Sequence, residues 1–164
     1  MRKIVGLIFI LVVTTFCIDS IFKSKKEMSL VEIMQTSINN CRWETAKDSS
    51  FGYEICYPDF FIDSSKSAGH PCFRYQNRTN IVVESFVTDS INEILMHSKV
   101  LSRSRRSVIL QGKFYENGAE SDDYLFHAKA VKKGKLWVVY RLIYSSDFAE
   151  SVDRIRQKVD CWEP

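Results

Sequence analysis

Five cysteines are the residues of this 164-residue chain whose chemistry depends most on their surroundings. Cys17 lies in an apolar N-terminal segment, and the other four are Cys41, Cys56, Cys72 and Cys161. An even set in an exported domain is typical of two disulfides, and zinc binding is disfavoured because no Cys-x-x-Cys pair occurs. Cys56 and Cys72 fall in successive predicted strands, so we expect a Cys56–Cys72 bond, with Cys41 bonded to Cys161. The other two connectivities, and four free thiols in a reducing compartment, are the alternatives.

The three histidines are the candidates for acid–base catalysis. His70, His97 and His127 fall in a predicted loop, helix and strand, and no pair has the His-x-x-x-His spacing of a metal site. The Gly-x-Ser-x-Gly motif of serine hydrolases does not occur either. We therefore predict no catalytic residue, no metal site and no cofactor, and interpret His127 as a hydrogen-bonded structural residue. The alternative is a small hydrolase, which requires one of these histidines within about 3 Å of a serine, cysteine or carboxylate in a pocket.

The arginine cluster, which we define as Arg103, Arg105 and Arg106, is the sharpest concentration of charge in the sequence. Such a cluster can bind an anionic polymer, lipid headgroups or the carboxylates of a protein partner. The alternative is a solvated loop without a ligand, with or without pairing of its arginines to an acidic stretch further along the chain. That stretch comprises Glu116, Glu120, Asp122 and Asp123.

Arg141 is a single charge within a long apolar strand. On the predicted strand pairing it shares a face with Phe126 and Val139. An arginine in this position either extends to the edge of the core or is buried against a carboxylate and marks a binding site. We therefore predict Arg141 as a binding residue in addition to the arginine cluster.

The N-terminal segment predicts export. Arg2 and Lys3 precede residues 4–13, which are apolar apart from Gly6, as in the charged and hydrophobic regions of a secretory signal. We interpret residues 1–22 as a signal peptide or, if uncleaved, as a membrane anchor, since 19 apolar-rich residues nearly span a layer of about 30 Å. Lipidation at Cys17 is a third option. The predicted location is periplasmic or extracellular, with membrane attachment if the segment is retained or lipidated.

The rest of the chain has the composition of one globular domain. Residues 23–40 are predicted as a lysine-rich spacer and a short helix, and residues 41–164 as a single α+β domain. Hydrophobic residues make up 45% of the chain, which excludes wholesale disorder. A formal net charge of +3 disfavours a dedicated nucleic-acid binder, which needs a strongly basic face.

Apolar periodicity predicts a mostly antiparallel sheet covered by helices. Its strongest element is a hairpin of two long strands around Lys133-Gly134, in which Ala130 is opposite Trp137. Both faces of this hairpin are apolar, which is typical of the middle of a covered sheet. Short helices are predicted after Ser29 and, over about ten residues, after Ser90. An amphipathic helix near the C-terminus supplies one of the covers.

Several of these segments resemble a known family. The strand Phe-Gly-Tyr-Glu-Ile-Cys-Tyr-Pro-Asp-Phe (residues 51–60), the later run Val-Lys-Lys-Gly-Lys-Leu-Trp-Val-Val-Tyr (131–140) and the final helix before Trp162 are similar to the PsbP-like, or Mog-like, α/β sandwich family. The resemblance covers roughly residues 43–162 and implies an α-β-α sandwich. Because members are mostly non-catalytic binding or assembly factors, it implies a bacterial envelope protein of that kind.

Together these observations predict a non-catalytic binding or scaffold protein of the cell envelope that has a protein partner. The prediction includes no enzyme activity and makes nucleic-acid binding an unfavoured option. The alternatives are an anionic-polymer or lipid-surface binder that uses the arginine cluster, and a small hydrolase.

Overall fold

The computed structural model describes residues 28–75, 81–116 and 119–164. The predicted signal peptide or anchor, most of the lysine-rich spacer and Cys17 lie outside the described residues. The chain divides into two compact units, Met1–Leu30 and Val31–Pro164, and the second contains the fold below. Within the described ranges no helix is both long enough and apolar enough to span a membrane.

A seven-stranded antiparallel sheet forms the centre of this unit. Its strands in chain order are β3 (Ile62–Asp63), β4 (Cys72–Arg74), β5 (Val82–Thr88), β6 (Ser98–Arg103), β7 (Ser107–Glu116), β8 (Ala119–Lys133) and β9 (Leu136–Ser145). Their order across the sheet is β3-β4-β5-β9-β8-β7-β6. β9 is therefore the central strand, with neighbours on both sides and core on both faces.

Helices and a small second sheet cover the large one. The small sheet pairs β1 (Trp43–Asp48) with β2 (Tyr53–Pro58) in antiparallel fashion. The helices are α1 (Leu30–Asn40), α2 (Ser65–Ala68), α3 (Asn92–Met96) and α4 (Asp153–Asp160), and a 3-10 turn (Ser146–Phe148) follows β9. The predicted fold class, a mostly antiparallel sheet covered by helices, is confirmed.

Alternate residues of β9 supply two apolar cores on opposite faces of the large sheet. Val138, Tyr140 and Leu142 pack in the first core, together with buried side chains of α1, β2 and α4. Val139 and Ile143 pack in the second core, which α3 covers. Every described residue of both cores belongs to Val31–Pro164, so this unit has the buried interior that a domain needs to fold by itself.

The β8–β9 hairpin is shifted by two residues from the predicted pairing. Ala130 is opposite Val139 rather than Trp137, and the two-residue loop begins at Gly134 rather than at Lys133. Gly134 has a φ of 65°, a backbone conformation that glycine adopts without the clash of a Cβ atom. Because side chains alternate with a period of two, a shift of two keeps every residue on its predicted face.

The sequence pattern does not predict β1 or β6, and it predicts too long a helix after Ser90. The helix there, α3, has five residues, and the chain then enters β6. β6 is an edge strand whose side chains are mostly exposed, so it lacks the apolar alternation that marks a strand in sequence.

The four cysteines in the described residues are free thiols, so the two predicted disulfides are wrong. Cys56 lies in β2 of the small sheet, opposite Thr45, whereas Cys72 lies in β4 of the large sheet and is buried in the second core, away from β2. The predicted bond assumed that both strands formed one hairpin. Cys41 and Cys161 follow the ends of α1 and α4 and are not bonded to each other either.

Candidate functional site

Arg141 forms an ion pair near the middle of the large sheet, on the face of the second core. Its Nε donates to Glu84 Oε1 at 2.8 Å, and its Nη2 donates to the same oxygen. The two residues are directly opposite each other on β9 and β5, and the small residue Ala128 is opposite Arg141 on β8. Glu84 is buried, and the Arg141 side chain is 22% exposed. Of the two arrangements expected for Arg141, the molecule has the pairing with a carboxylate; a role in binding stays a prediction.

Glu84 has a second partner, His70, which fixes its other oxygen. Nε2 of His70 lies 3.2 Å from Glu84 Oε2. Burial by itself would raise the pKa of Glu84, but the hydrogen bond with His70 and the charge of Arg141 outweigh burial and hold the pKa below its ordinary value. Glu84 is therefore an anion at neutral pH, and it holds the guanidinium of Arg141 in one position.

Aromatic rings further restrict Arg141. The guanidinium carbon lies 4.9 Å from the ring centroid of Phe86 and 5.4 Å from that of Phe114. Contacts of this kind attract the cation to the ring and fix the plane of the guanidinium. Glu84 occupies the edge formed by Nε and Nη2, whereas Nη1 donates to no acceptor among the residues that the structure describes.

An open cleft of about 580 Å³ has Arg141 in its lining, and we call it the Arg141 cleft. Ile94 and Met96 of α3 and Phe114 and Phe126 of β7 and β8 give it apolar walls. An apolar cleft with a few fixed polar groups is the usual form of a small-molecule site. The cleft thus combines the fixed guanidinium of Arg141 with an apolar surface.

Several polar residues at the mouth of this cleft contact one another, and the carboxylate of Glu93 in α3 also lines it. Lys113 forms ion pairs with Glu120 and Asp122, and Tyr115 donates a 2.9 Å hydrogen bond to Glu120. The ring of His97 lies 4.0 Å from that of Tyr115. The hydrogen bonds and charge of Lys113 hold the pKa of the Glu120 carboxyl below its usual range. The charge of Lys113 is therefore engaged by these two carboxylates, whereas Arg141 keeps a donor edge without an acceptor among the described residues.

Gly112 positions the α3 wall of the cleft. A Cβ atom at this position would lie 2.4 Å from the backbone oxygen of His97 and 3.0 Å from a ring carbon of Phe126. Only glycine lets the segment after α3 approach β7 this closely. The pairing of Gly112 with Ser98 at the start of β6 depends on the same approach.

His127 contacts the C-terminal helix and does not line the Arg141 cleft. It is buried on the face of the first core, and its Nε2 lies 2.6 Å from Asp160 at the end of α4. The neighbouring Lys129 donates to the Asp160 backbone oxygen at 3.0 Å and to Glu163 at 2.9 Å. These bonds attach the C-terminal helix to β8, and the prediction that His127 is a hydrogen-bonded residue is confirmed.

His70 meets one requirement of the hydrolase alternative. It lies beside the carboxylate of Glu84 and lines a second cleft, of about 420 Å³. No serine or cysteine side chain in the described ranges is hydrogen-bonded to His70, as an activated nucleophile would be. In those ranges no three His, Cys, Asp or Glu residues come together to hold a metal ion either.

The arginine cluster lies at one end of the large sheet, and we call this end the basic end. Its six basic members are exposed. They are Arg103 at the end of β6, Arg105 and Arg106 in the β6–β7 turn and, at the β8–β9 hairpin, Lys132, Lys133 and Lys135. The two turns are adjacent, because Ser107 pairs with Val131 and the Lys132 amide donates to the Arg106 backbone oxygen at 2.7 Å. Among the described residues none of these six cations forms an ion pair with a carboxylate.

Exposed apolar side chains accompany the cations. Leu136 at the hairpin is 37% exposed, and Phe51 in the β1–β2 turn is 45% exposed. Lys133 connects the two turns, because its Nζ donates to the backbone oxygens of Phe51 and Gly52 at 3.4 and 3.2 Å. Two carboxylates lie nearby, Asp48, which accepts hydrogen bonds from the turn amides, and Asp89. Six cations against these two anions leave the basic end strongly positive.

The acidic stretch is at the opposite end of β7, so it does not neutralise the arginine cluster. Glu120 pairs across from Tyr115, whereas the arginines precede Ser107. The intervening strand has about eight residues, which at about 3.3 Å each separates the two groups by roughly 26 Å. At this distance salt screens most of the attraction. Pairing of the arginines with the acidic stretch is therefore wrong, and the choice between a solvated loop and a binding surface stays a prediction.

Glu84 is the residue of the site that sequence reasoning missed. Its signal is a carboxylate within the apolar run Ile-Val-Val-Glu-Ser-Phe-Val (residues 81–87). A charge in such a run is buried and needs a partner, and the single arginine in the other long apolar strand is its natural complement.

Comparisons with known proteins leave the family open. No protein-family model matches the chain, and no curated protein matches it. Among solved structures, the chain is similar to the solution structure of cyanobacterial PsbP (CyanoP) from Synechocystis sp. PCC 6803, with 14% identity and a TM-score of 0.47. The match covers 73% of this chain and 90% of that one. PsbP gives its name to the family in the predicted resemblance, and membership in a bacterial envelope branch stays a prediction.

Proposed function

We propose that this chain is a non-catalytic binding protein that acts outside the cytoplasm and that its basic end binds an anionic phospholipid surface. The observation that carries the proposal is a group of six exposed cations at two adjacent turns and their strand ends, none of which forms an ion pair within the described ranges, beside exposed Leu136 and Phe51. Cations attract anionic headgroups, and apolar side chains beside them can enter the region between headgroups and acyl chains. Binding of single-stranded nucleic acid, by contrast, uses a series of aromatic rings on which successive bases stack, whereas Phe51 is the one exposed phenyl ring among the described residues of the basic end.

The leader supports the location. Arg2 and Lys3 followed by an apolar segment favour export, and a retained or lipidated segment would keep the domain near a membrane. The free cysteines remove the disulfide argument for export, so the location rests on the leader alone. Protease accessibility in intact and lysed cells tests it, and complete protection until the inner compartment is opened would contradict it.

Co-sedimentation with vesicles tests the binding surface. A chain of residues 28–164, which contains the whole unit Val31–Pro164, is mixed with phosphatidylcholine vesicles that contain 0 or about 30% phosphatidylglycerol, at several salt concentrations. We expect binding only to the anionic vesicles, and a steep loss as salt rises. Each basic residue near such a surface is worth about 1 kcal/mol. The Arg105→Glu/Arg106→Glu variant should therefore bind at least about 30-fold more weakly, since two such contacts are lost and repulsion is added.

Arg42→Glu/Arg74→Glu is the matched control. It changes the net charge by the same amount, and both residues are exposed and lie away from the basic end, before β1 and opposite Val82. Its binding should fall only slightly. Equal losses for the two variants would show attraction to net charge alone and would refute the proposed surface.

Phe51→Ser separates a membrane from a soluble polyanion or an acidic protein partner. Loss of this exposed ring should weaken vesicle binding without changing the salt dependence, because the ring contributes apolar contact and no charge. If Phe51→Ser binds vesicles as tightly as the parent chain, the lipid surface is the wrong ligand class.

A hydrolase is the second candidate because His70 contacts a buried carboxylate in a cleft. Turnover of ester or amide substrates that disappears in His70→Ala, while the variant stays folded, would favour it. We expect no such turnover, since His70 forms no hydrogen bond with a serine or cysteine side chain in the described ranges.

A further inference from the structure

The Arg141 cleft is a second candidate surface, separate from the basic end. It lies between α3 and the part of β7 and β8 nearest the acidic stretch, whereas the basic end is at the other end of these strands. Nothing in the proposed lipid contact uses Arg141 or Glu84.

Stability alone does not account for the ion pair in its lining. A buried ion pair is often no more stabilising than well-packed apolar residues of similar volume, because removing both charges from water is costly. Here the pair interrupts an apolar face between Phe86, Ala128 and Val139. Its arginine lines an open cleft of about 580 Å³ with apolar walls, which is the arrangement of a ligand site.

The donors of Arg141 define the chemistry of the ligand. Glu84 accepts from Nε and Nη2, so the edge formed by Nη1 and the second Nη2 hydrogen stays free. Two parallel N–H groups on a planar guanidinium match the two oxygens of a carboxylate. Glu84 and the rings of Phe86 and Phe114 fix the guanidinium before a ligand arrives, so little side-chain entropy is lost on binding.

The walls of the Arg141 cleft determine the size and polarity of the rest of the ligand. Ile94, Met96, Phe114 and Phe126 are apolar, and a volume of about 580 Å³ holds a small organic molecule or one or two side chains. We propose that the Arg141 cleft binds the carboxylate of an apolar organic acid through the free edge of the guanidinium. The acid is either a small molecule or the C-terminal residue of a peptide, since both present the same groups.

Calorimetric titration of the full chain, in detergent and with a detergent-only blank, tests this. The probes are 3-phenylpropanoate, its primary amide, and the peptide N-acetyl-Gly-Phe with a free C-terminus. We expect the acid to bind at least about tenfold more tightly than the amide, because the amide offers one acceptor and no charge. The stronger of the two acids identifies the source of the carboxylate. Equal binding of acid and amide, or no binding of either acid up to about 10 mM, overturns the proposal.

Met96 provides a matched pair of variants that leaves the ion pair intact. Its side chain is 76% exposed at the mouth of the cleft, so replacement should not disturb folding. Met96→Glu places a negative charge near the bound carboxylate and should weaken acid binding about fivefold relative to Met96→Gln, which has similar size and no charge. Equal affinity of the two variants would place the ligand elsewhere. Both variants should retain vesicle binding, so failure here is distinguishable from failure of the proposed function.

Discussion

Replacing Arg141 with methionine should destabilise the protein more than its own exposure suggests. The change removes the partner of Glu84, which is buried and keeps only its contact with His70. An uncompensated carboxylate in an apolar core either stays charged at high cost or takes up a proton. The effect therefore arises from Glu84 more than from lost contacts of Arg141.

The magnitude follows from burial. Breaking a fully buried ion pair costs about 3–5 kcal/mol. Arg141 is 22% exposed and His70 remains, so we expect the lower end, about 3 kcal/mol, for Arg141→Met. Glu84→Gln should cost about 1–2 kcal/mol, because the guanidinium can still reach water in the cleft. The double variant should cost less than the sum of the two by about 2 kcal/mol.

Urea unfolding at pH 7, followed by tryptophan fluorescence, measures these free energies. Because the folded-state pKa of Glu84 is lowered, its contribution is complete above its ordinary value of 4.5 and is lost as pH falls through the lowered pKa. The difference between the parent and Glu84→Gln should therefore shrink in acid. Additive costs, within about 0.5 kcal/mol, would refute the coupling between the two residues.

Two further predictions concern the interior. Gly112→Ala should lower the free energy of unfolding by about 2–3 kcal/mol, because the added Cβ meets the His97 backbone oxygen. It should cost more than Gly134→Ala, where a Cβ meets no atom within 4 Å. Urea unfolding compares the two variants, and equal losses would contradict the close approach at Gly112. In native protein, iodoacetamide should modify the exposed Cys161 well before Cys72, because the Cys72 thiol is buried and burial raises its pKa. Peptide mapping measures the order of modification, and a disulfide at Cys72 would contradict the prediction.

Periodicity predicts much of the fold because burial imposes it. β9 is apolar on both faces since it is the central strand, and the pattern predicts its two faces correctly even though the hairpin is shifted by two residues. The same reasoning fails at β6, an edge strand whose exposed side chains need no alternation. It also fails for Cys56 and Cys72, because sequence order does not say that successive strands join different sheets.

Local signals predict only part of the candidate site. Arg141 is conspicuous in sequence as a charge among apolar residues, and so is the arginine cluster. Their surroundings come from distant segments: Glu84 is 57 residues from Arg141 in the chain, and the lysines beside the arginine cluster belong to another hairpin. Such groups meet only through strand order, which a single sequence does not supply.

Hydrogen–deuterium exchange of the full chain in lipid nanodiscs tests the central claim most directly. Exchange in discs of pure phosphatidylcholine is compared with exchange in discs that contain phosphatidylglycerol, so that any contribution of the N-terminal segment is common to both. We expect anionic lipid to slow exchange in the β6–β7 turn around Arg105 and in the β8–β9 hairpin around Gly134, and to leave the β7–β8 end around Glu120 unchanged. The claim that the basic end binds an anionic membrane would be contradicted by identical exchange in the two kinds of disc, or by slower exchange confined to the Glu120 end.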